Sequence, residues 1–359
     1  MTVFQESILQ TCQKIQFTTI PWTGELPFAT TSTEKSAGPR LNGHRAAWLD
    51  SIHQGLRHPV YIIKATEGDC VVGVLPLCLV AGPIFGRFLV SLPYINTGGV
   101  WAHNQTVARG LIDAGCELAD QLDVKYLELR HEVEVPHDRL NFKRTDKVHM
   151  RLPLPDTYEG LMASLKSKVR SQVKKSYKSD LSVQFGGGEL LKDFYHVFST
   201  NMRDLGTPVF SRKLFASILN SFEGDAELCV VSKDSNPAAA GLLVHVDGVT
   251  EVPSASCLRA FNVLNANMFM YSKLLERAID RGSQTFDFGR SSEDSGTFKF
   301  KKQWGAKPHP AVWQYFVRKG DPADMRPDSG GKQRLVRIWQ RLPVWITKLA
   351  GPSIVRGIP

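Results

Sequence analysis

Four cationic side chains, Arg290, Lys299, Lys301 and Lys302, fall inside two short segments, Phe286–Ser291 and Gly296–Gly305. Aromatics at Phe286, Phe288, Phe298 and Phe300 recur at every second residue. That is the period of a strand with one buried face, and it predicts two strands flanking a polar, Gly-containing loop. The opposite face then carries Asp287, Lys299 and Lys301. A cationic strand face beside such a loop suits an anionic ligand: a phosphate, a carboxylate or an oxyanion developing during reaction.

Other chemistries lack their signatures. Protein kinases use an Asp-Phe-Gly tripeptide on magnesium, but no Gly-rich loop with a following strand lysine and no His-Arg-Asp segment accompanies Asp287-Phe288-Gly289. Asp287 reads instead as a residue that organises its loop through hydrogen bonds. Gly186-Gly187-Gly188 is not a dinucleotide fingerprint and reads as a flexible loop. His131 and His137 bracket Glu132 and Glu134 without the spacing of a metal site, so no metal is expected. There is no Gly-x-Ser-x-Gly elbow, and no cysteine stands in a nucleophile's context.

The chain has 359 residues, 42% hydrophobic and 22% charged, with a net charge of +9. That length allows two domains of ordinary size. The positive excess favours an anionic partner such as a nucleotide-linked substrate, coenzyme A, tRNA or an acidic membrane surface, or serves solubility alone. The six cysteines, Cys12, Cys70, Cys78, Cys116, Cys229 and Cys257, are scattered and read as reduced residues of a cytoplasmic protein. No apolar run approaches the roughly 18 residues of a spanning helix, and residues 1–6 do not read as a signal peptide.

The elements that must position the cationic segments follow from periodicity. Residues 24–43 read as irregular. Helical spacing runs from Ala46 to Leu56. Val60–Ala65 and Val71–Leu77 form a hairpin around Glu67-Gly68-Asp69. Phe88–Val90 and Tyr126–Arg130 are strands on either side of an amphipathic helix, Val107–Gln121. The same order recurs later. Helices at Phe194–Asp204 and Lys213–Phe222 precede strands at Ala226–Val231, Ala238–Val246 and Thr250–Ser256. A helix at Asn267–Arg281 and a strand at Thr285–Gly289 follow. Between the two units, Leu161, Leu165, Val169, Val173 and Tyr177 make a helical stripe. Its other faces carry Lys166, Lys168, Arg170, Lys174, Lys175 and Lys178: an anion or RNA contact, or a solvated face. Residues 321–332 read as a linker. Arg334–Val355 mixes Trp339, Trp345 and aliphatics with Arg334, Arg337, Arg341 and Lys348, which fits either a membrane interface or a terminal helix packed on the body. Pro343 must break or kink any helix there.

The strings DFGRS and GTFKFKKQWG resemble the C-terminal signature of the FemAB-like branch of the GNAT acyltransferase superfamily, relatives of the peptidoglycan-bridge aminoacyltransferases. The nearest likeness is to the group associated with exosortase and exopolysaccharide systems. Asn267–Tyr271, Phe85–Phe88, Ser91–Tyr94, Gly98–Val100 and Leu205–Pro208 carry the same likeness, which covers roughly residues 45–318.

The resemblance implies a mixed α/β (α+β) fold of two tandem GNAT-like domains, 1–150 and 151–320, each a largely antiparallel sheet flanked by helices, with 321–359 as linker and amphipathic tail. It implies an acyltransferase that moves an aminoacyl or acyl group to an amine or hydroxyl of a cell-envelope or exopolysaccharide precursor. The alternative is a non-catalytic module that binds a nucleotide-sugar or lipid-linked glycan. No tightly bound cofactor is implied. The donor is aminoacyl-tRNA or an acyl-CoA or other acyl thioester, and the acceptor an anionic nucleotide- or lipid-linked precursor. The protein is expected in the cytoplasm, at the inner face of the membrane if 333–359 contacts anionic lipid. Arg259–Asn267, where a coenzyme A enzyme of this kind usually carries a Gly-rich turn, has no glycine.

The resemblance places Lys301 at the lysine of the family's Phe-Lys pair, as an oxyanion or phosphate partner, with Lys302 as the alternative if the strand register differs by one. Arg290 becomes a carboxylate or phosphate clamp. Tyr94 and Asn96 fall to an acceptor pocket of the first domain. Arg259, Asn267, Tyr271, Asp287, Ser291, Phe300 and Trp304 complete the expected substrate contacts, and Lys166, Lys168, Arg170, Lys174 and Lys175 the RNA contact. No single general base stands out.

Overall fold

A computed structural model of the chain describes residues 14–26, 41–320 and 332–358. The first unit contains β1 (Gln16–Pro21), α1 (Ala46–Leu56), β2 (Val60–Glu67), β3 (Cys70–Gly82), β4 (Gly86–Val90), β5 (Trp101–Ala102), α2 (Gln105–Gln121), β6 (Tyr126–His131) and β7 (Phe142–Pro153). The second contains α3 (Tyr158–Ser164), α4 (Ser167–Tyr177), β8 (Leu181–Gly186), α5 (Leu191–Leu205), α6 (Arg212–Ser221), β9 (Ala226–Lys233), β10 (Asn236–Val246), β11 (Val249–Cys257), α7 (Ala266–Asp280), β12 (Thr285–Ser292), α8 (Gly296–Gln303) and β13 (Lys307–Val317). The tail forms α9 (Lys332–Arg341) and α10 (Val344–Val355).

One sheet of 13 strands runs through both units in the order β1-β2-β3-β4-β6-β13-β7-β12-β11-β10-β9-β8, with β5 beside β3. The order reads alike from either end. Each half is antiparallel until one parallel contact, β4 with β6 and β11 with β12, and each of these contacts holds for only three residue pairs before the strands part. At the centre the halves exchange a strand: β13 completes the first unit by pairing β6, β7 completes the second by pairing β12, and β7 and β13 pair each other. The division at residue 150 falls inside β7.

The packing follows the apolar periodicity. Trp48, Leu49, Ile52 and Leu56 of α1 are buried against Phe215 and Ile218 of α6. Gly55 lets the two helices meet: a Cβ there would lie 2.8 Å from the Leu214 backbone. That core also takes Ile62, Val74 and Cys78 from the first unit and Leu228, Val230 and Leu242 from the second, so it belongs to both. α2 covers the other face of the first half-sheet, and its N-cap Asn104 accepts from Val107 N at 2.9 Å.

Two expectations are corrected. Gly296–Gln303 is a helix, not a strand. Ser295 caps it, its hydroxyl accepting from Phe298 N at 3.1 Å, and Phe298, Lys301 and Trp304 bury one side at helical spacing. Phe298 and Phe300, two apart in sequence, both pack because the helix sits in a corner with partners on two sides. Lys302 is therefore the next position around a helix, not the other face of a strand. The 161–177 stripe is not one helix either. The chain breaks between α3 and α4 at Leu165, which is extended, and the Arg170 guanidinium donates to Leu165 O across the break. The stripe itself is buried from Leu161 to Val173, while Tyr177 is exposed.

β7 and β13 carry no clean alternation. Pro308 and Pro310 argue against a strand, yet Lys307–Ala311 pairs on one side only, since the β6 ladder begins at Val312. In the tail, Pro343 separates α9 from α10. Thr347, Gly351 and Val355 are buried, and Arg203 donates to Leu342 O at 2.9 Å. Cys70, Cys78, Cys116, Cys229 and Cys257 are free thiols, and Cys12 lies outside the described residues. Among the described residues, no helix is long and apolar enough to cross a membrane.

Candidate active site between the half-sheets

Where β11 and β12 part, the last parallel pair is Glu251 opposite Asp287. Beyond it β12 bulges: its register against β7 shifts between Asp287 and Arg290, and Gly289 sits at φ +74°. A bulge at a parting strand pair turns backbone groups away from the ladder and towards a cleft.

Three groups fix the bulge. Asp287 accepts from Gly289 N at 2.7 Å and, on its other oxygen, from Arg151 Nε at 2.9 Å. Arg151, across the sheet on β7, also donates both of its terminal nitrogens to Glu132. From α8, the buried Lys301 donates to Gly289 O at 3.1 Å and Arg290 O at 3.0 Å. Burial pulls the Lys301 ammonium down to about 8, with Asp287 opposing and Arg290 adding to the effect.

Glu251 completes the cluster. Burial, then the neighbouring Asp287, push its carboxyl up to about 8, while Asn42 and Arg151 pull the other way. One guanidinium among Glu132, Asp287 and Glu251 cannot keep all three carboxylates comfortable. His149, on the same strand as Arg151, is fully buried, both ring nitrogens lack a hydrogen-bond partner, and burial lowers its pKa.

A cleft of about 30 Å³ opens onto Asn96, Glu251, Pro253, Asp287 and Gly289. Its far wall is the Ser91–Gly99 loop of the first unit, held by Arg130, which donates to Ile95 O at 2.7 Å and Leu92 O at 3.3 Å. A space of that size holds little more than a water. On the other side of the Glu132–Arg151–Asp287 chain lies a cleft of about 380 Å³, lined by Leu41, His44, Trp101, Asn104, His131 and Glu132. Burial drives His131 down to about 4. The ring is therefore neutral, and its Nε2 accepts from Val100 N at 3.1 Å.

The sequence-predicted residues divide among several places. Lys301, Asp287 and Asn96 meet at the bulge. Arg290 lies with Arg130 over the Trp313 ring, at 3.9 and 4.1 Å, and burial followed by Arg130 lowers it to about 10. Tyr94 lines the small cleft, but its hydroxyl meets His58 Nε2 at 2.9 Å and donates to Arg356 O at 3.2 Å. Tyr271 stacks on Phe288, Phe300 stands edge-on to Tyr271, and Trp304 is fully buried; these rings form the floor behind the bulge. Ser291 is buried, and its hydroxyl has no partner.

Lys302 is exposed over Phe298, Arg259 donates to Asp204 O, and Asn267 lies in the first turn of α7. Lys166, Lys168, Lys174 and Lys175 are exposed on and beside α4, whereas Arg170 is turned to the backbone. Sequence reasoning missed Arg151, Glu132 and Glu251. The one available signal was Glu251 as the single charged residue of the stretch Val249–Cys257. Among the described residues, no group of three or more His, Cys, Asp and Glu side chains is arranged to hold a metal ion.

Residues 163–302 match the family model described as an acetyltransferase (GNAT) domain. A search of curated proteins gave no match. Among solved structures, FemX is similar with a TM-score of 0.57 at 15% identity, over 82% of this chain and 93% of that one. A tandem GNAT protein from the clavulanic acid biosynthesis pathway scores 0.53 at 12% identity, over 85% of this chain and 100% of that one. The C-terminal domain of a putative lysylphosphatidylglycerol synthetase from Agrobacterium fabrum scores 0.51 at 11% identity, over 77% and 88%. The likeness read from DFGRS and GTFKFKKQWG agrees with these matches. Residues 163–302 thus carry the match to the GNAT acetyltransferase domain, and the fold of the chain is similar to those of FemX and the tandem GNAT protein.

Proposed function

We propose that this protein is an acyltransferase that moves an acyl or aminoacyl group onto an amine or hydroxyl of a cell-envelope or exopolysaccharide precursor, with its chemistry at Glu251 and the Asp287–Gly289 bulge. The observation that carries the reading is the carboxyl of Glu251, raised to about 8 at the point where two parallel strands part. A carboxylate that ionises near neutral pH is suited to take a proton from an attacking amine or hydroxyl. Lys301 acts on the same bulge. Two of its donors hold the carbonyls of Gly289 and Arg290, leaving one for the developing oxyanion or a phosphate. Arg290, a partly buried guanidinium with a ring contact but no carboxylate partner among the described residues, is the clamp for an anionic part of donor or acceptor.

The donor is an aminoacyl-tRNA or an acyl thioester. The 3-10 turn Arg259–Leu264 occupies the entry to α7 without a glycine, which disfavours the usual pyrophosphate cradle, and the exposed lysines of α4 offer a basic face for RNA. The acceptor enters through the larger cleft of the first unit, whose wall Glu132 is tied to Asp287 through Arg151. The small cleft must widen as substrates bind.

The test is a thermal-shift screen of aminoacyl-tRNA analogues, acyl-CoAs and UDP-linked sugars, followed by turnover of the hits by wild-type protein and Glu251→Gln. Transfer that falls by about 10²–10⁴ in the variant supports the reading. Stabilisation by a UDP-sugar without any transfer would instead identify a binding module.

A further inference from the structure

We infer that α9 and the outward face of α10 form a docking surface for an anionic lipid bilayer. The inference does not depend on which group the enzyme transfers.

Residues 333–359 contain Arg334, Arg337, Arg341, Lys348 and Arg356 and no acidic residue. Their outward face is apolar as well as cationic. Leu335, Ile338, Trp345 and Leu349 are 67, 51, 67 and 76% exposed. Leu335 and Ile338 lie three residues apart on α9, and Trp345 and Leu349 four apart on α10, so each helix carries its own exposed apolar stripe. The inward face already has its partners. Thr347, Gly351 and Val355 are buried, and a Cβ on Gly351 would come within 2.8 Å of Val209 N. Gln340 donates to Asp204 O, and Arg356 donates to Arg57 O. The stripes are thus the second apolar face of an element already docked by its first.

The chemistry selects the occupant. Tryptophan and leucine on a helix flanked by arginine fit the boundary between headgroups and acyl chains. A nucleic acid would satisfy the arginines but leave Leu335, Ile338 and Leu349 without apolar contact. A symmetric pairing of two copies would set this acid-free tail against itself, cation facing cation. The last turn of α10 also accepts the Tyr94 hydroxyl at Arg356 O, two residues from Asn96 in the small cleft. A protein seated this way holds that loop close to the lipid.

The experiment is co-sedimentation of the full-length protein with vesicles of phosphatidylglycerol and phosphatidylcholine, and with phosphatidylcholine alone. The protein should pellet with the anionic vesicles and stay largely in solution with the neutral ones. The triple variant R334Q/R337Q/R341Q should lose about a hundredfold in partitioning. L335Q/I338Q/L349Q should lose binding to the same vesicles while its thermal unfolding is unchanged, because those side chains are exposed. No pelleting of the wild type overturns the proposal. So does an apolar triple variant that binds like wild type, which would mean simple adsorption of a basic protein. A concentration-dependent dimer abolished by the apolar substitutions, with vesicles ignored, would assign the stripes to a second copy. Loss of tRNA binding in the arginine triple variant, without any vesicle binding by the wild type, would assign the tail to nucleic acid.

Discussion

Replacing Glu251 by glutamine removes an ionisation while keeping the shape of the side chain. The carboxyl stands at about 8 in the fold against an ordinary 4.5. Ionising it in place therefore costs on the order of 5 kcal/mol more than in the unfolded chain. The folded state holds this proton more tightly, so the contribution of Glu251 to stability is fully present below about pH 4.5 and is lost as pH rises towards 8. Within that window the slope approaches about 1.4 kcal/mol per pH unit. Denaturant unfolding of wild type and Glu251→Gln from pH 5 to 8.5 isolates it, because every other titrating group is common to both proteins. The variant should gain on the wild type steadily with pH and level off above about 8. Parallel curves would mean that Glu251 ionises like a surface glutamate, and the argument for it as a base near neutral pH would collapse.

Lys301→Met keeps the methylene packing but leaves Gly289 O and Arg290 O short of a donor. It should cost about 1–3 kcal/mol in urea unfolding and lower turnover at least about tenfold, and unchanged turnover removes Lys301 from the site. Gly351→Val drives a side chain into the Val209 backbone. It should loosen α10 by about 1–3 kcal/mol, read as faster release of the tail in limited proteolysis with mass spectrometry, and an equally protected tail would refute the packing described for it.

The fold was legible where apolar period and turn chemistry agreed. The Gly68 turn between two apolar runs marks β2 and β3, and the spacing of Trp48, Leu49, Ile52 and Leu56 marks α1. It was misread where period alone had to choose: the Phe-Lys-Phe-Lys of α8 alternates like a strand, and its Ser295 cap was the competing signal. β7 and β13 were missed because their sides face unlike surroundings and so carry mixed charge and proline. The DFGRS segment located the bulge, but not what surrounds it. Glu251 lies on β11, Arg151 on β7 and Glu132 just past the end of β6, and only the sheet order brings them to Asp287.

The exchange of β7 and β13 constrains how this chain is made. His131 on β6 and Gln314 on β13 are 183 residues apart, so the centre of the sheet closes only after the segment through β13 has left the ribosome. Until then the emerging first half presents the open edges of β6 and β7, where another chain could pair. Pairing between such distant segments is slow, and chaperone demand should be concentrated in that interval. The same exchange makes each half the natural complement of the other. Cut between β7 and α3 and produced as two polypeptides, they should remain soluble together and aggregate apart.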